Sequence, residues 1–457
     1  MQTNKEKVKE IIGLIDNWIH YQTYIKEIPS VSVGIFMDDE TIFQKAYGYA
    51  NLETKTKATP STLYRIASHS KLFTTTAIMK LYSEDKLSLD DRVSQHLEWF
   101  QSSYDEKMEH IRIRHLLTHS SGITRDSDYG HWCTQQFPNF DEMKAMIQKG
   151  ISVFGTSEHY KYSNIGFTIL GMIVSKVSGQ SFEDYILALA HSLDMEHTYP
   201  DLSEENLPRH ATGYGLKFPN EPRQVLKHAS ANIMNSATGL SSNVEDLIKF
   251  YQAHMFGNDR LFLDLYKREM QRVQFQYRDI QRGLGFVIKK MGQLSYVSHG
   301  GSYQGFETCS GLNQEHKLIL VVLLNTINGP AQMLFTGISD LIHHALTHYE
   351  DYGSESKATQ ELMKSIDFSE IQGFYSEVWG VLLSQKIRDS IVSIAPGSDN
   401  PAETLQICQH ERDLEFKMPT THPDRHPGEI LKFEKNEEGD YQINICGDIF
   451  KKFEFPY

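Results

Sequence analysis

The segment that follows Ser68 constrains the fold of this 457-residue chain more than any other stretch. It reads SKLFTTTAIMKLY, and a helix formed there would carry apolar residues on most of its sides: Leu72, Phe73, Ala77, Ile78 and Leu81. A helix of that kind has to be covered on most sides by other elements. We therefore expect a helix from Ser68 to about Tyr82 inside a large domain.

Strand patterns lie at both ends of this domain, and helical patterns lie between them. VSVGIFM and IFQKAY precede the helix, whereas YVSHG, QGFETCSGL and KLILVVLLNT come late and are followed by the helical pattern AQMLFTGISDLIHHALTHY. This order predicts an α+β fold, in which helices flank an antiparallel sheet made from both ends of the domain, with a helical insertion between them. A catalytic cleft is expected where the sheet and the insertion meet.

The sequence changes character after residue 350. Residues 351–368 are polar and predict a linker. Residues 369–457 contain short alternating runs such as DSIVSIAP and DYQINICG, which are typical of a small β-barrel or sandwich. The predicted organisation is therefore a domain over 1–350, a linker over 351–368 and a C-terminal all-β domain over 369–457.

Composition excludes several classes of partner. The formal net charge is -14, which disfavours nucleic acid and anionic membrane surfaces. The four cysteines lie far apart and match neither a zinc pattern nor a dense disulfide framework. Charges interrupt every apolar run of the first 27 residues, unlike a signal peptide, and no run reaches the ~18 apolar residues of a membrane span, so the cytoplasm is the default expectation. No nucleotide-binding fingerprint is present, and no cofactor is predicted.

Ser68 and Lys71 have the spacing of a nucleophile and its base. Residues three apart share one helix face, and a serine hydroxyl needs a neighbour to take its proton. A lysine can be that neighbour if desolvation and a nearby positive charge hold it neutral. The alternative is a serine that only caps the helix, and the same spacing recurs at Ser354 and Lys357 in the polar linker. The pair alone does not decide between these interpretations.

A second short motif is Tyr162-Ser163-Asn164. A tyrosine can relay a proton to a leaving group, and an asparagine can bind a substrate amide. The alternative is a half-buried loop tyrosine, and a similar triplet, Tyr49-Ala50-Asn51, precedes the serine at a predicted strand end.

The third motif is His299-Gly300-Gly301-Ser302, bounded by strand patterns. Its two glycines would let a substrate lie close to the backbone and pair with a strand edge. The histidine would supply a positive or hydrogen-bonding group near Lys71. The alternative is a strand-end turn with a solvent-facing histidine.

Taken together and in this order, the three motifs resemble the serine β-lactamase and penicillin-binding-protein superfamily, which uses Ser-x-x-Lys for acylation. The Tyr-x-Asn and His-Gly-Gly variants are similar to its class C β-lactamase-like group, which includes esterases, D-amino-acid peptidases and DD-carboxypeptidases. TPSTLYRIAS, KLSLDDRVSQHL, IRIRHLLTHSSGI and GLSSNVEDLIKF match the same group. The resemblance covers about residues 25–350 and implies a β-lactamase/transpeptidase-like fold.

The resemblance implies a role for each catalytic residue. Ser68 would be the acylated nucleophile, Lys71 its base, and Tyr162 would share or relay the proton. Asn164 would bind the amide carbonyl of the substrate. The backbone N–H groups of Ser68 and Ser302 would form the oxyanion hole.

His299 stands where true β-lactamases and transpeptidases hold a lysine. A histidine is charged only part of the time near neutral pH. This departure disfavours tight binding of a carboxylated β-lactam and favours a peptidase or an esterase. Gly300 and Gly301 remain as candidate substrate-binding positions.

The function implied is that of a serine hydrolase that acts through an acyl-enzyme on small amides or esters, above all a D-residue peptidase or carboxypeptidase. A promiscuous esterase or weak β-lactamase and a non-catalytic scaffold or penicillin-binding sensor are the alternatives. The expected partners are a small peptide, ester or β-lactam. A homo-oligomer is also allowed, because in some members of the group a C-terminal β domain controls access to the cleft, sometimes in an oligomer.

Two histidine pairs have metal-ligand spacing, and neither predicts a metal. His115 and His119 match a structural helix and turn of the family. His344 and His348 lack a third ligand in sequence and indicate a solvent-facing helix side.

Overall fold

The computed structural model describes residues 2–420 and 427–455. Contacts among residues divide the chain into two compact units. The sheet unit comprises Ile28–Met291 and Ser295–Gln332. The barrel unit comprises the residues up to Glu27, Gly292–Leu294 and the residues from Met333 onward.

The described residues form α-helices and several short 3-10 helices. In chain order the α-helices are α1 (Asn4–Glu10), α2 (Ile12–Ile25), α3 (Ser70–Ser83), α4 (Val93–His96), α5 (Ile113–Leu117), α6 (His131–Thr134), α7 (Phe140–Gln148), α8 (Asn164–Ser178), α9 (Phe182–Ser192), α10 (Asn235–Thr238), α11 (Val244–Ala253), α12 (Asp264–Gln271), α13 (Ala331–Thr347) and α14 (Lys357–Ser365).

The strands fall into an early group, a late group and the barrel. In chain order they are β1 (Ser30–Met37), β2 (Glu40–Asn51), β3 (Thr56–Lys57), β4 (Tyr64–Arg65), β5 (Gly213–Tyr214), β6 (Val225–Leu226), β7 (Ser241–Ser242), β8 (Phe275–Tyr277), β9 (Ile280–Arg282), β10 (Val287–Met291), β11 (Leu294–Tyr303), β12 (Phe306–Asn313), β13 (Leu318–Leu324), β14 (Gly373–Glu377), β15 (Gly380–Ile387), β16 (Ser390–Ile394), β17 (Gln406–Arg412), β18 (Glu415–Lys417), β19 (Ile430–Lys435), β20 (Tyr441–Ile445) and β21 (Asp448–Phe453).

The sheet unit is built on a nine-stranded sheet in the order β3-β2-β1-β13-β12-β11-β10-β9-β8. β1 pairs antiparallel with β13, from Val31 opposite Leu324 to Met37 opposite Leu318. All residues of these two central strands are buried, which explains why their sequences are apolar almost throughout. The prediction of a sheet made from both ends of the domain is confirmed.

Helix α3 is buried as its sequence predicts, and it packs against α8 and α10. It begins at Ser70, two residues later than expected. Residues Ala67–His69 form a 3-10 turn instead, and Ala67 has a φ of 51°, in the left-handed region that a residue with a Cβ seldom adopts. Ser68 therefore lies in a tight turn that leads into the helix.

Strands β14–β21 of the barrel unit form a closed eight-stranded barrel. Of the two architectures that the sequence allows for residues 369–457, the barrel is the one observed. Helix α2 belongs to the same unit, because the Trp18 indole donates to the Ser398 carbonyl over 3.2 Å and the Gln22 amide donates to the Pro396 carbonyl over 2.7 Å. This division differs from a domain that runs unbroken from residue 1 to 350.

The segment predicted as a linker is partly helical. Helix α14 occupies its centre, and the Ser356 side chain caps that helix by accepting from the Thr359 N–H. None of the helices within residues 2–420 and 427–455 is both long and apolar enough to cross a membrane.

Candidate active site

The Ser68 hydroxyl is contacted by two side chains from separate parts of the chain. The Tyr162 hydroxyl donates to Ser68 Oγ over 2.7 Å, and Lys71 Nζ lies 3.3 Å from the same oxygen. Tyr162 precedes α8 and Lys71 lies in the first turn of α3, so the packing of these two helices brings the groups together. Ser68 is partly exposed, whereas Lys71 is fully buried.

Ser70, the other serine beside Lys71, has a structural role, because its hydroxyl is bonded to the backbone on two sides. Its hydroxyl donates to the Ala67 carbonyl over 2.6 Å and accepts from the Leu240 N–H over 3.0 Å. It is fully buried. Of the two serines, only Ser68 is partly exposed.

Lys71 has the surroundings of a neutral amine. Its Nζ lies 2.8 Å from Asn164 Oδ1 and 2.7 Å from the Ala237 carbonyl, in addition to Ser68 Oγ. A neutral amine has two N–H groups and one lone pair, so the two acceptors can take both protons and leave the lone pair facing the serine. Burial lowers the pKa of Lys71 well below its usual value; Asp126 opposes this effect, and Arg125 and Arg282 add to it.

Tyr162 is a proton donor in this arrangement. Burial raises its pKa to about 12, so the phenol keeps its proton at neutral pH. The His119 ring lies against it, with ring centroids 4.4 Å apart, and His119 Nδ1 accepts from the Ser163 N–H over 3.1 Å. His119 therefore holds the backbone next to Tyr162, a role that its place in HLLTHSSGI does not reveal.

Asn164 connects Lys71 to a carboxylate. Its Nδ2 donates to Asp126 Oδ1 over 2.6 Å while its Oδ1 faces Lys71. Both the oxygen and the nitrogen of the Asn164 side-chain amide already have hydrogen-bond partners. To donate to a substrate carbonyl, Nδ2 must therefore break its bond to Asp126 or divide its two N–H groups between Asp126 and the substrate. Burial raises the pKa of Asp126, but its contacts with His131, Asn164 and neighbouring groups outweigh burial and leave this pKa below its usual value.

Strand β11 passes directly over the Ser68 turn. A Cβ added to Gly301 would lie 2.5 Å from the Ile66 carbonyl oxygen and 2.9 Å from the Ala67 Cβ, whereas one added to Gly300 would meet only the Thr308 carbonyl, at 3.5 Å. Only glycine at position 301 allows this approach.

The approach brings close together the two segments that carry the candidate oxyanion donors. Ser68 lies in the first turn of a short helix, where N–H groups lack intrahelical partners. Tyr303 pairs with Phe306 across a two-residue turn. Alternation in an antiparallel ladder therefore points the N–H of Ser302 away from β12, towards the open side of β11.

His299 is buried beside this site. Its Nδ1 lies 2.6 Å from the Gly300 carbonyl, and its Nε2 is buried and has no hydrogen-bond partner among the described residues. Burial, followed by His69, Lys71 and Arg282, lowers the pKa of His299 well below its usual value. The sequence allows a charged imidazole that binds a substrate carboxylate, but this environment makes the neutral ring the form present at pH 7.

No metal site is formed by the residues that the structure describes, in which three or more His, Cys, Asp or Glu side chains nowhere gather around a common point. His115 Nδ1 accepts from the Arg112 N–H over 3.2 Å. His344 Nδ1 lies 2.7 Å from the Tyr352 hydroxyl. Both histidines therefore have partners that explain them without a metal.

A family model described as Beta-lactamase matches residues 15–340. The chain belongs to the Beta-lactamase family. This places it in the serine β-lactamase and penicillin-binding-protein superfamily and confirms the resemblance drawn from the three motifs.

Two curated relatives of this Beta-lactamase family protein illustrate the similarity. Protein flp of Staphylococcus aureus (strain MW2) is 33% identical over 325 residues, which are 68% of this chain and 62% of flp. Penicillin-binding protein 4* of Bacillus subtilis (strain 168) is 26% identical over 309 residues, 63% of this chain and 66% of the relative. The chain thus spans about 62% of the length of the flp relatives.

Two solved structures confirm the predicted β-lactamase/transpeptidase-like fold. The octameric penicillin-binding protein homologue from Pyrococcus abyssi has a TM-score of 0.65 at 22% identity and covers 96% of this chain and 100% of its own. The beta-lactamase/D-alanine carboxypeptidase from Pseudomonas syringae has a TM-score of 0.62 at 16% identity and covers 74% and 99%. Because it covers 96% of the chain, the first likeness includes most of the C-terminal barrel.

Proposed function

We propose that this protein is a serine hydrolase that acts through an acyl-enzyme on small amides or esters, with peptides that contain D-residues as its main substrates. The observation that carries the proposal is the pairing of an accessible Ser68 hydroxyl with a buried lysine whose two N–H groups have acceptors of their own. A serine is a useful nucleophile only when a neighbouring base is ready to accept its proton.

In the acylation step, Ser68 Oγ attacks the substrate carbonyl and Lys71 takes the hydroxyl proton. The carbonyl oxygen becomes an oxyanion between the N–H groups of Ser68 and Ser302. Tyr162 gives its proton to the leaving group, and Lys71 returns the proton it has taken to Tyr162. Water then attacks the acyl-enzyme and the same groups act in reverse.

The open edge of β11 favours a peptide as the substrate. β10 has five residues and β11 has ten, so in the hairpin that they form β10 can accompany only about half of β11. The backbone from His299 to Tyr303 is left on the outer side, where an extended peptide can add as a strand. Gly300 and Gly301 carry no side chain that would obstruct it.

We also propose that the protein forms a homo-oligomer. The support is that the Pyrococcus abyssi homologue, described as octameric, matches almost the whole of both chains. Light scattering coupled to size-exclusion chromatography tests this: a mass several times 52.6 kDa is expected, and a mass of one chain would contradict it.

A substrate panel tests the proposed activity. We expect D-amino-acid peptides to be hydrolysed with a higher kcat/KM than p-nitrophenyl esters or nitrocefin, and Ser68→Ala to abolish all three reactions. Faster turnover of the esters would favour the esterase alternative, and faster turnover of nitrocefin the β-lactamase alternative. No reaction with any substrate, although Ser68 is labelled by penicillin, would favour a penicillin-binding sensor.

A further inference from the structure

His69, the residue directly after Ser68, turns its side chain into the interior of the sheet unit and is buried there. Its Nδ1 lies 3.1 Å from the Ile66 carbonyl oxygen and 2.9 Å from Thr308 Oγ1, and its Nε2 is hydrogen-bonded to Ser310 Oγ. Ile66 begins the turn that carries Ser68, whereas Thr308 and Ser310 lie on one face of β12. The imidazole therefore joins the Ser68 turn to β12.

The ring of His69 is neutral at pH 7 and its orientation is fixed. Burial lowers the pKa of His69 to about 4, although the backbone oxygens of Ile66 and His299 oppose this effect. A neutral ring with its proton on Nδ1 donates to the Ile66 carbonyl and accepts from the Ser310 hydroxyl at Nε2. Ser310 Oγ in turn lies 2.9 Å from the Tyr251 hydroxyl of α11. Both ring nitrogens are thus held by groups that are themselves buried.

These hydrogen bonds meet at the point where β11 passes over the Ser68 turn. The Ile66 oxygen and Thr308 Oγ1 are the two atoms nearest to a Cβ built on Gly301, at 2.5 and 2.6 Å. Thr308 is also the register partner of Gly301 in the β11–β12 ladder. His69 therefore binds one atom of the turn and one atom of the sheet where the segments that carry the candidate oxyanion donors approach each other.

The conformation of the turn explains why it needs such a bond. Ala67 has a φ of 51°, and a residue with a Cβ keeps a left-handed conformation only where its surroundings hold it. The backbone N–H of His69 donates to the Ile66 carbonyl over 3.1 Å, and Nδ1 of the ring reaches the same oxygen. One residue thus closes the turn around Ala67 and ties it to the sheet.

We propose that His69 is a positioning residue of the oxyanion hole, because it holds the Ser68 turn against β12 and so sets the distance between the N–H groups of Ser68 and Ser302. The inference rests on the proposed serine hydrolase function, and it adds a residue that acts through the turn without touching the substrate. Oxyanion donors act over about 2.7–3.1 Å. A small opening of the turn therefore weakens the transition state more than the bound substrate.

His69→Leu, which fills a similar space without hydrogen bonds, tests the inference. The assays are steady-state hydrolysis of an activated ester and inhibition by a boronic acid, whose tetrahedral adduct with a serine carries an oxygen in the place of the oxyanion. We expect kcat and the affinity for the boronic acid to fall together by ~10–100-fold, with KM within a few-fold of the parent. His69→Asn, whose amide can replace Nδ1, should recover part of both losses.

His254→Leu is the matched control. His254 is buried like His69, burial lowers its pKa to about 4, and it bonds to the Phe250 carbonyl through Nδ1, over 2.8 Å, and to the Thr76 hydroxyl through Nε2, over 3.0 Å. It joins α11 to α3 instead of the Ser68 turn to the sheet. Assayed well below its unfolding midpoint, His254→Leu should keep kcat and the boronic acid affinity within a few-fold of the parent.

Equal kinetic losses in His69→Leu and His254→Leu, or a lower kcat without weaker boronic acid binding, would overturn the positioning role and leave the serine hydrolase intact. If His69→Leu does not fold, Thr308→Val removes one hydrogen bond of the ring to β12 and should lower both quantities several-fold at unchanged KM; unchanged values would equally overturn the role. A parent protein that neither hydrolyses the ester nor is acylated at Ser68 would instead refute the proposed function, and the positioning role would fall with it.

Discussion

The contact between β11 and the Ser68 turn leads to our sharpest prediction, the effect of Gly301→Ala. The added methyl would lie 2.5 Å from the Ile66 carbonyl oxygen and 2.6 Å from Thr308 Oγ1. Real Cβ contacts essentially never fall below 3.0 Å, so the turn and the strand must separate by about half an ångström. The nearest atom, the Ile66 carbonyl oxygen, belongs to the backbone and cannot move aside as the end of a flexible side chain can.

That separation is comparable to the tolerance of an oxyanion hole, whose donors act at about 2.7–3.1 Å from the oxyanion. Loss of one such donor typically costs about 3–4 kcal/mol of transition-state stabilisation, or 10²–10³-fold in kcat. We expect Gly301→Ala to lower kcat by about 10²-fold and to lower the stability by about 1–3 kcal/mol through overpacking. KM should change little, because the oxyanion forms only in the transition state.

Gly300→Ala is the control, since its methyl would meet only the Thr308 carbonyl, at the ordinary distance of 3.5 Å. Its kcat should stay within a few-fold of the parent. The assay is steady-state hydrolysis of an activated ester by both variants, with thermal unfolding measured alongside. If Gly301→Ala were as active as Gly300→Ala, the backbone N–H groups of Ser68 and Ser302 would not act together on the oxyanion.

The remaining predictions concern the proton-transfer groups. Lys71→Ala and Tyr162→Phe should each lower kcat by about 10²–10⁴-fold with little change in KM, and steady-state kinetics of the double variant should show non-additive losses; additive losses would contradict a shared role. Asp126→Asn should move the acid limb of the kcat/KM profile to lower pH, because the Asp126 charge raises the pKa of Lys71 and its removal lets this base stay neutral in more acidic solution; an unmoved or upward-shifted limb would contradict this coupling. His299→Gln should leave the profile around neutral pH unchanged in shape, because burial lowers the pKa of His299 well below its usual value and keeps the ring neutral; an inflection near the usual histidine pKa of about 6.5 that disappears in the variant would contradict the neutral form.

The sequence was sufficient to predict which groups lie close together when those groups share a short motif. Ser68 and Lys71 are three residues apart, and Tyr162 and Asn164 flank the start of one helix, so local geometry nearly fixes each pair. Their meeting requires only that α3 pack against α8, which the apolar sequences of both helices favour. The strand that contains Gly300 and Gly301 was also predicted from a short motif, because its distinctive residues are consecutive in the sequence.

The groups that were missed reach the site through tertiary structure alone. Asp126 comes from a loop after α5 and Arg282 from a hairpin near the edge of the sheet, and neither has a fixed spacing to Ser68. The sequence around His119 is explained by a structural turn alone, so it gave no sign that the ring contacts Tyr162. A single sequence contains no signal for such contacts, because they depend on the path of the chain between elements.

Local conformation also limited the prediction near the nucleophile. The helix was expected from Ser68, but a left-handed Ala67 and a 3-10 turn precede it, contrary to the preference of alanine. The C-terminal barrel could not be distinguished from a sandwich, because closure depends on the pairing of β14 with β21, strands far apart in sequence. The cytoplasmic location stays a prediction.

The central claim is that Ser68 is the residue acylated during turnover. Intact-mass spectrometry after brief incubation with an activated ester, followed by peptide mapping, tests it most directly. We predict a single acyl adduct on Ser68, lost on standing as water completes the reaction, and no adduct in a folded Ser68→Ala protein. An adduct on Ser70, or undiminished turnover by Ser68→Ala, would contradict the account.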